Sequence, residues 1–136
     1  MKIAVCVDDR NGMLFAGRRQ SMDSRLREEF LNMTEPARIW MDTYTAGQFK
    51  DAAERILVDE DFLNKAQAED WCFVEKADLQ PVAEDITQIV LYRWNRHYPA
   101  DKRFPAKLFE DRWTMISQRE FSGSSHEQIM EEVYSL

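Results

Sequence analysis

Five short apolar runs, separated by helix and turn signals, limit what this chain can fold into more than any other feature. They are KIAVCV (2–7), ARIWM (37–41), RILVD (55–59), WCFVE (71–75) and TQIVLYRW (87–94), the last being the longest strand signal. Continuous β-rich runs of this length suit strands buried on both faces, the condition of a parallel sheet covered by helices. Between the first two, Met22, Leu26, Phe30 and Met33 recur at spacings of three and four among Arg25, Arg27, Glu28 and Glu29. That spacing predicts an amphipathic helix from Ser21, ended by Pro36. Thr45 and Gln48 have capping-box spacing for a helix running to about Arg55, and EDFLNKAQAED predicts a short helix. Pro81 marks a turn or short helical piece, and WTMISQREF reads as a strand before the turn FSGSS. Alternating strand and helix followed by a hairpin predicts a mostly parallel α/β sheet with a C-terminal antiparallel hairpin.

Two segments are less regular. DDRNGMLFAG, after the first run, supplies turn chemistry, with Gly12 and Gly17 as candidates for positive φ. The final SSHEQIMEEVYSL fits a helix capped by Ser125 and Gln128. It also fits a strand with Ile129, Glu131 and Val133 on one face and Met130, Glu132 and Tyr134 on the other.

The 136 residues suit one domain, residues 1–136, able to bury roughly two thirds of its unfolded surface. A net charge of −7 weighs against nucleic acid as a partner, since that binding rests on clustered Lys and Arg. No run approaches the roughly 18 apolar residues of a membrane span, and MKIAVCVDDRNG reaches charge too early for a signal peptide, so a cytoplasmic location is expected. Cys6 and Cys72 sit in apolar runs and read as buried free thiols.

Read in order, these pieces resemble a shortened dihydrofolate reductase. IAVCVDDRNGMLFAG resembles that family's first strand and Asn-Gly loop. LREEFLNMTEPARIWMDTYTAGQF is similar to its first helix, second strand and the threonine opening its next helix. TQIVLYRWNRHYPADKRFP, Trp113 and SQREFSG follow the order of its late strand, Asp-x-x-Phe-Pro turn and hairpin partner. In that register EQIMEEVY is the last strand. The resemblance covers about two thirds of the chain and implies a dihydrofolate-reductase-like α/β fold, with NADPH as cofactor only if the activity persists.

The family's site residues carry over poorly. Its catalytic carboxylate falls on Leu26, leaving Asp23, about one turn earlier, as the only nearby substitute. Of its phosphate-binding residues after the second strand only Thr45 matches, and Asp42 would repel a phosphate. Glu75 and Lys76 stand where it has a glycine pair, the tryptophan and proline after its first loop are missing from GRRQSMD, and the middle is shorter by about one strand-helix unit. A ribonuclease Z type of nuclease holds two zinc ions in a dense His and Asp cluster, whereas this chain has two histidines, His97 and His126.

Asp8 and Asp9, with Arg10, Arg18, Arg19 and Asp23, are the densest charged group near the carboxyl end of a strand, where open α/β sheets bind ligands. Arginine forks there would suit a carboxylate or phosphate. His97 reads as a surface residue and His126 as a cap or packing residue. Glu131, Glu132, Glu110 and Asp111 read as solubilising charge. The leading expectation is a non-catalytic binding or regulatory protein using Asp8, Asp9, Arg18, Arg19 and Thr45 on a small anionic or nucleotide-like ligand, or on a protein partner. The alternatives are a divergent NAD(P)H-dependent reductase using Asp23, and a single-stranded RNA binder using Arg93, Trp94, Arg96 and Tyr98. In the reductase register TQIVLYRW is a strand, so its side chains alternate between faces and form no single basic surface.

Overall fold

The computed structural model describes residues 1–50 and 54–136. Its strands are β1 (Lys2–Val7), β2 (Gly12–Phe15), β3 (Arg18–Arg19), β4 (Ile39–Met41), β5 (Ile56–Val58), β6 (Trp71–Phe73), β7 (Gln88–Arg93), β8 (Lys102–Arg103), β9 (Thr114–Phe121) and β10 (Ile129–Ser135). The α-helices are α1 (Ser24–Thr34), α2 (Thr43–Ala46) and α3 (Phe62–Lys65), and Gln80–Asp85 forms a 3-10 helix.

Seven strands make the main sheet in the order β5-β4-β6-β1-β7-β10-β9. β1 is parallel to β6 and β7, β4 is parallel to β5 and β6, and β10 runs antiparallel to β7 and β9. This is the mostly parallel sheet with a terminal antiparallel hairpin that the apolar runs predict. All five runs become strands, and the inner ones bury alternate residues on opposite faces of the sheet, whereas β5, at the edge, is only partly buried and Val58 is half exposed. Ile3, Val5, Val7, Ile89 and Leu91 enter one core, while Ala4, Val90, Tyr92 and Phe73 enter the other beneath Leu26 and Phe30 of α1. Phe30 meets Phe49, Trp71, Phe73 and Tyr92 edge-on at centroid distances of 5.1–6.5 Å.

The structure corrects several local expectations. α1 begins at Ser24 because the Asp23 carboxylate caps it, so Met22 lies outside the buried stripe and is half exposed. The cap of α2 is Asp42, whose side chain accepts from the Thr45 amide. Thr45 is inside that helix rather than at its start. The expected continuation toward Arg55 crosses residues 51–53, which lie outside the described residues. Arg55 itself reaches the Leu31 and Ala37 carbonyls and the Thr34 hydroxyl at the C-terminal end of α1, where a cation also suits the helix dipole. The final segment is strand β10, since pairing on both sides satisfies its backbone in a way a lone helical turn could not. β9, with eight residues, is longer than β7, with six. The expected turn HYPADKRFP contains β8, which joins β3 and β2 in a second, three-stranded sheet.

Gly17 does adopt positive φ, but Gly12 does not; Asn11 and Ala16 take the other left-handed positions of this segment, and Asn95 takes one after β7. Gly12 is required for closeness instead: a Cβ there would collide with Ala100, at 2.6 Å, and with the Gln20 amide.

Candidate functional site

The carboxyl ends of β1, β6 and β7 point toward the loops that carry the charged residues singled out by sequence. Asp8, directly after β1, is buried and accepts hydrogen bonds from the backbone amides of Arg10, Gly12 and Tyr98 and from the Gln20 side chain, at 2.8–3.3 Å. Burial opposes its charge, but these donors outweigh it and hold the carboxyl below the usual aspartate range. Asp8 therefore ties the turn after β1 to the segment after β7. Asp9 and Arg18 are exposed, and Arg18 lies on the outer strand β3, opposite Phe15.

Arg19 turns inward. Its Nε and Nη2 donate to the two carboxylate oxygens of Glu75 at 2.9 and 3.1 Å, Nη2 also reaches the Tyr44 carbonyl, and the guanidinium lies 4.1 Å from the Tyr44 ring centroid. The buried hydroxyl of Thr45 donates to the same Glu75 at 2.9 Å, and Lys76 covers the Tyr44 ring at 3.9 Å. Where Arg19 and Glu75 meet Cys6, Met13, Gln20, Ser21, Val74 and Trp94 a cavity of only about 10 Å³ remains, the lower limit for one water molecule. Among the described residues, the space beside Arg19 and Glu75 at the strand ends is filled by the chain's own side chains.

Asp23 forms a second closed group. Oδ1 accepts from the Leu26 amide at 2.9 Å, and Oδ2 accepts from the Ser125 amide and hydroxyl at 2.7 and 2.8 Å. Burial raises its pKa, but the donors from Ser125, Leu26 and Ser124 prevail and lower it to about 2. Ser125 Oγ lies 2.7 Å from His126 Nδ1, and His126 Nε2 lies 2.7 Å from the Tyr98 hydroxyl. The proton assignment that also gives Asp23 its hydroxyl donor has Tyr98 donating to His126, His126 to Ser125, and Ser125 to Asp23. His126 is stacked on Trp94 at 4.6 Å, and burial, then Arg96, depresses its pKa against the pull of Asp23. Gly123 allows the hairpin to approach so closely, since a Cβ there would strike Asp23 and Ile129.

The residues named for RNA stacking are occupied elsewhere. Arg93 bonds Glu132 and Asn11, Trp94 is buried against His126, and Tyr98 holds His126. Arg96 is exposed. Glu131 and Glu132, expected as solubilising charge, are 3% and 7% exposed. Glu131 accepts from Tyr92 and Arg119, and Glu132 from Arg93 and Tyr134. A strand alternation read alone cannot reveal most of these partners, because Tyr92 and Arg93 come from β7 and Arg119 from β9. Glu75 was visible only as an obstacle to a phosphate, and its partner Arg19 lies 56 residues away in sequence.

A wider open groove, about 740 Å³, lies at the opposite, amino end of the parallel strands. Most of its charged lining is paired internally, Arg38 with Asp70, Lys2 with Glu69, and Glu131 with Arg119, while Glu35 at its rim is exposed. Among the described residues no group of three or more His, Cys, Asp or Glu is placed to hold a metal ion, and no helix is long and apolar enough to cross a membrane.

The sheet order, the helix over β1 and β7, and the terminal hairpin define a mixed α/β fold with a mostly parallel sheet. The particular fold is that of dihydrofolate reductase. The dihydrofolate reductase from Enterococcus faecalis complexed with NADP(H) and RAB-propyl is similar over 99% of this chain and 95% of its own, with a TM-score of 0.68 and 10% identity. No protein-family model and no curated protein matches the sequence.

Proposed function

We propose that this chain is a non-catalytic binding protein on the dihydrofolate reductase fold, acting as one cytoplasmic domain. The observation that carries this reading is the closed crevice: Arg19, Glu75, Thr45 and Tyr44 bond one another where the fold would open for a nucleotide, and the cavity beside Arg19 and Glu75 measures about 10 Å³. NADPH does not fit these residues. A dinucleotide needs bare backbone and donors for its phosphates. This chain offers the buried Glu75 carboxylate, the Asp42 carboxylate at the start of α2, and a Thr45 hydroxyl already given to Glu75. Asp23 is equally unsuited to deliver a proton near neutral pH, with its carboxyl lowered to about 2 by three donors. A small anionic ligand at Asp8 and Arg19 would have to displace bonds that both residues already make, which favours a partner bound on the exposed loop surface.

The test is NADPH oxidation with dihydrofolate, together with equilibrium binding of NADPH followed by its fluorescence. No turnover and no saturable binding are expected. Steady turnover that disappears in Asp23→Asn would overturn the proposal in favour of a divergent NADPH-dependent reductase.

A further inference from the structure

The loops that close the crevice leave exposed arginines on their outer side. Arg10, Arg18, Arg96 and Arg103 are all exposed, and none makes a side-chain hydrogen bond or ion pair among the described residues. They come from four stretches of sequence that the fold brings together. The amide of Asp9, beside Arg10, donates to the Arg96 carbonyl at 3.0 Å. The amide of Phe104, beside Arg103, donates to the Asn11 carbonyl at 2.7 Å. Arg103 lies opposite Gly12 in the small sheet, and Arg18 lies opposite Phe15 three residues further along the same strand, an offset of about 10 Å at 3.3 Å per residue. Directly opposed residues of an antiparallel pair share a face, so Arg18 and Phe15, which is 52% exposed, lie on the same face of the small sheet. Against these four cations the same turns expose two carboxylates, Asp9 and Asp101, and the Asp101 side chain accepts from the Ala16 amide. This surface is cationic on a chain whose net charge is −7.

We infer that this loop face docks a short acidic segment of a partner protein, one that also carries an apolar side chain for Phe15. The inference rests on the non-catalytic reading above and names the partner of that same end of the molecule. Arginine forks pair with carboxylates in two-point geometry, and a run of about six extended residues is long enough to reach from Arg10 and Arg103 to Phe15 and Arg18. Nucleic acid fits less well. A long polyanion would run off the cationic face onto the acidic remainder of the surface, and two aromatic rings of this segment that could stack on bases, Trp94 and Tyr98, are held against His126.

The experiment is fluorescence anisotropy with three labelled probes at 50 mM salt: a ten-residue peptide of alternating Asp and Glu with a central Trp, its Asn and Gln counterpart, and a ten-residue oligouridylate. The acidic peptide should bind at least tenfold more tightly than either of the others and weaken several-fold at 300 mM salt. Arg10→Glu with Arg103→Glu should reduce its affinity at least tenfold, and Phe15→Ala several-fold, with unfolding temperatures close to the parent's because these side chains have no internal partners. Equal binding of acidic and neutral peptides, tighter binding of oligouridylate, no binding at all, or indifference to the charge reversal would each overturn the inference. Turnover of NADPH with peptide binding intact would instead defeat the non-catalytic reading alone, so the two failures are distinguishable.

Discussion

Replacing Asp23 with asparagine should destabilise the fold by about 2–3 kcal/mol at neutral pH, and by less in acid. The carboxylate serves two elements. Oδ1 caps α1 at the Leu26 amide, and Oδ2 receives the Ser125 amide and hydroxyl from the turn before β10. Asparagine keeps one acceptor but turns an amide group toward the Ser125 donors, so the cap survives while the link to the hairpin is lost. The pH dependence follows from the lowered pKa. With the carboxyl at about 2 when folded and 3.8 when unfolded, ionised Asp23 stabilises the protein fully above the unfolded value, and the contribution is lost as pH falls through the folded one. The shift corresponds to about 2.5 kcal/mol at most, reduced to roughly 1–2 kcal/mol by solvent screening, with about 1 kcal/mol gone by pH 3. Urea unfolding of both proteins, followed by far-UV circular dichroism at pH 7 and pH 3, measures this directly. A gap below about 0.5 kcal/mol at pH 7, or one of the same size at pH 3, would refute the argument.

Four further substitutions probe the remaining groups. Phe30→Ala empties the centre of the aromatic cluster under α1 and should cost about 3–5 kcal/mol, read from the urea midpoint. Glu75→Gln should cost about 1–3 kcal/mol by leaving the Arg19 guanidinium without its charged acceptor, while Glu75→Gln combined with Arg19→Met should recover much of the loss; additive effects would count against the pairing. His126 has a depressed pKa, so the unfolded chain binds a proton more readily and stability should fall as pH drops below about 6.5. His126→Gln should flatten that part of the curve between pH 7.5 and 5.5, a difference visible in melting temperatures.

Much of the architecture was legible in the residues because it rests on local patterns. Apolar runs such as KIAVCV and TQIVLYRW reveal buried strands regardless of their neighbours, and the stripe of Leu26 and Phe30 reveals the covered face of a helix. The ends of those elements were less legible. Met22 belongs to the same spacing, yet Asp23 starts the helix after it, since a cap with partners on two elements outweighs one more apolar contact. The last strand was undecided for a similar reason: EQIMEEVY alternates weakly, and only β7 and β9 supply the pairing that selects the strand.

What the sequence determined by itself was the class of fold and the group of charged residues around the first loop. What only the tertiary structure decided was the state of those charges. Asp8 and Asp23 became buried anchors, Arg19 closed the crevice on Glu75, and Arg10, Arg18, Arg96 and Arg103 remained outside. The physical reason is that burial and hydrogen bonding depend on partners brought from dozens of residues away, Glu75 for Arg19 and Ser125 for Asp23. A carboxylate or guanidinium in a sequence has the same charge whether it will bind a ligand or hold the fold together, and its final neighbours alone distinguish the two.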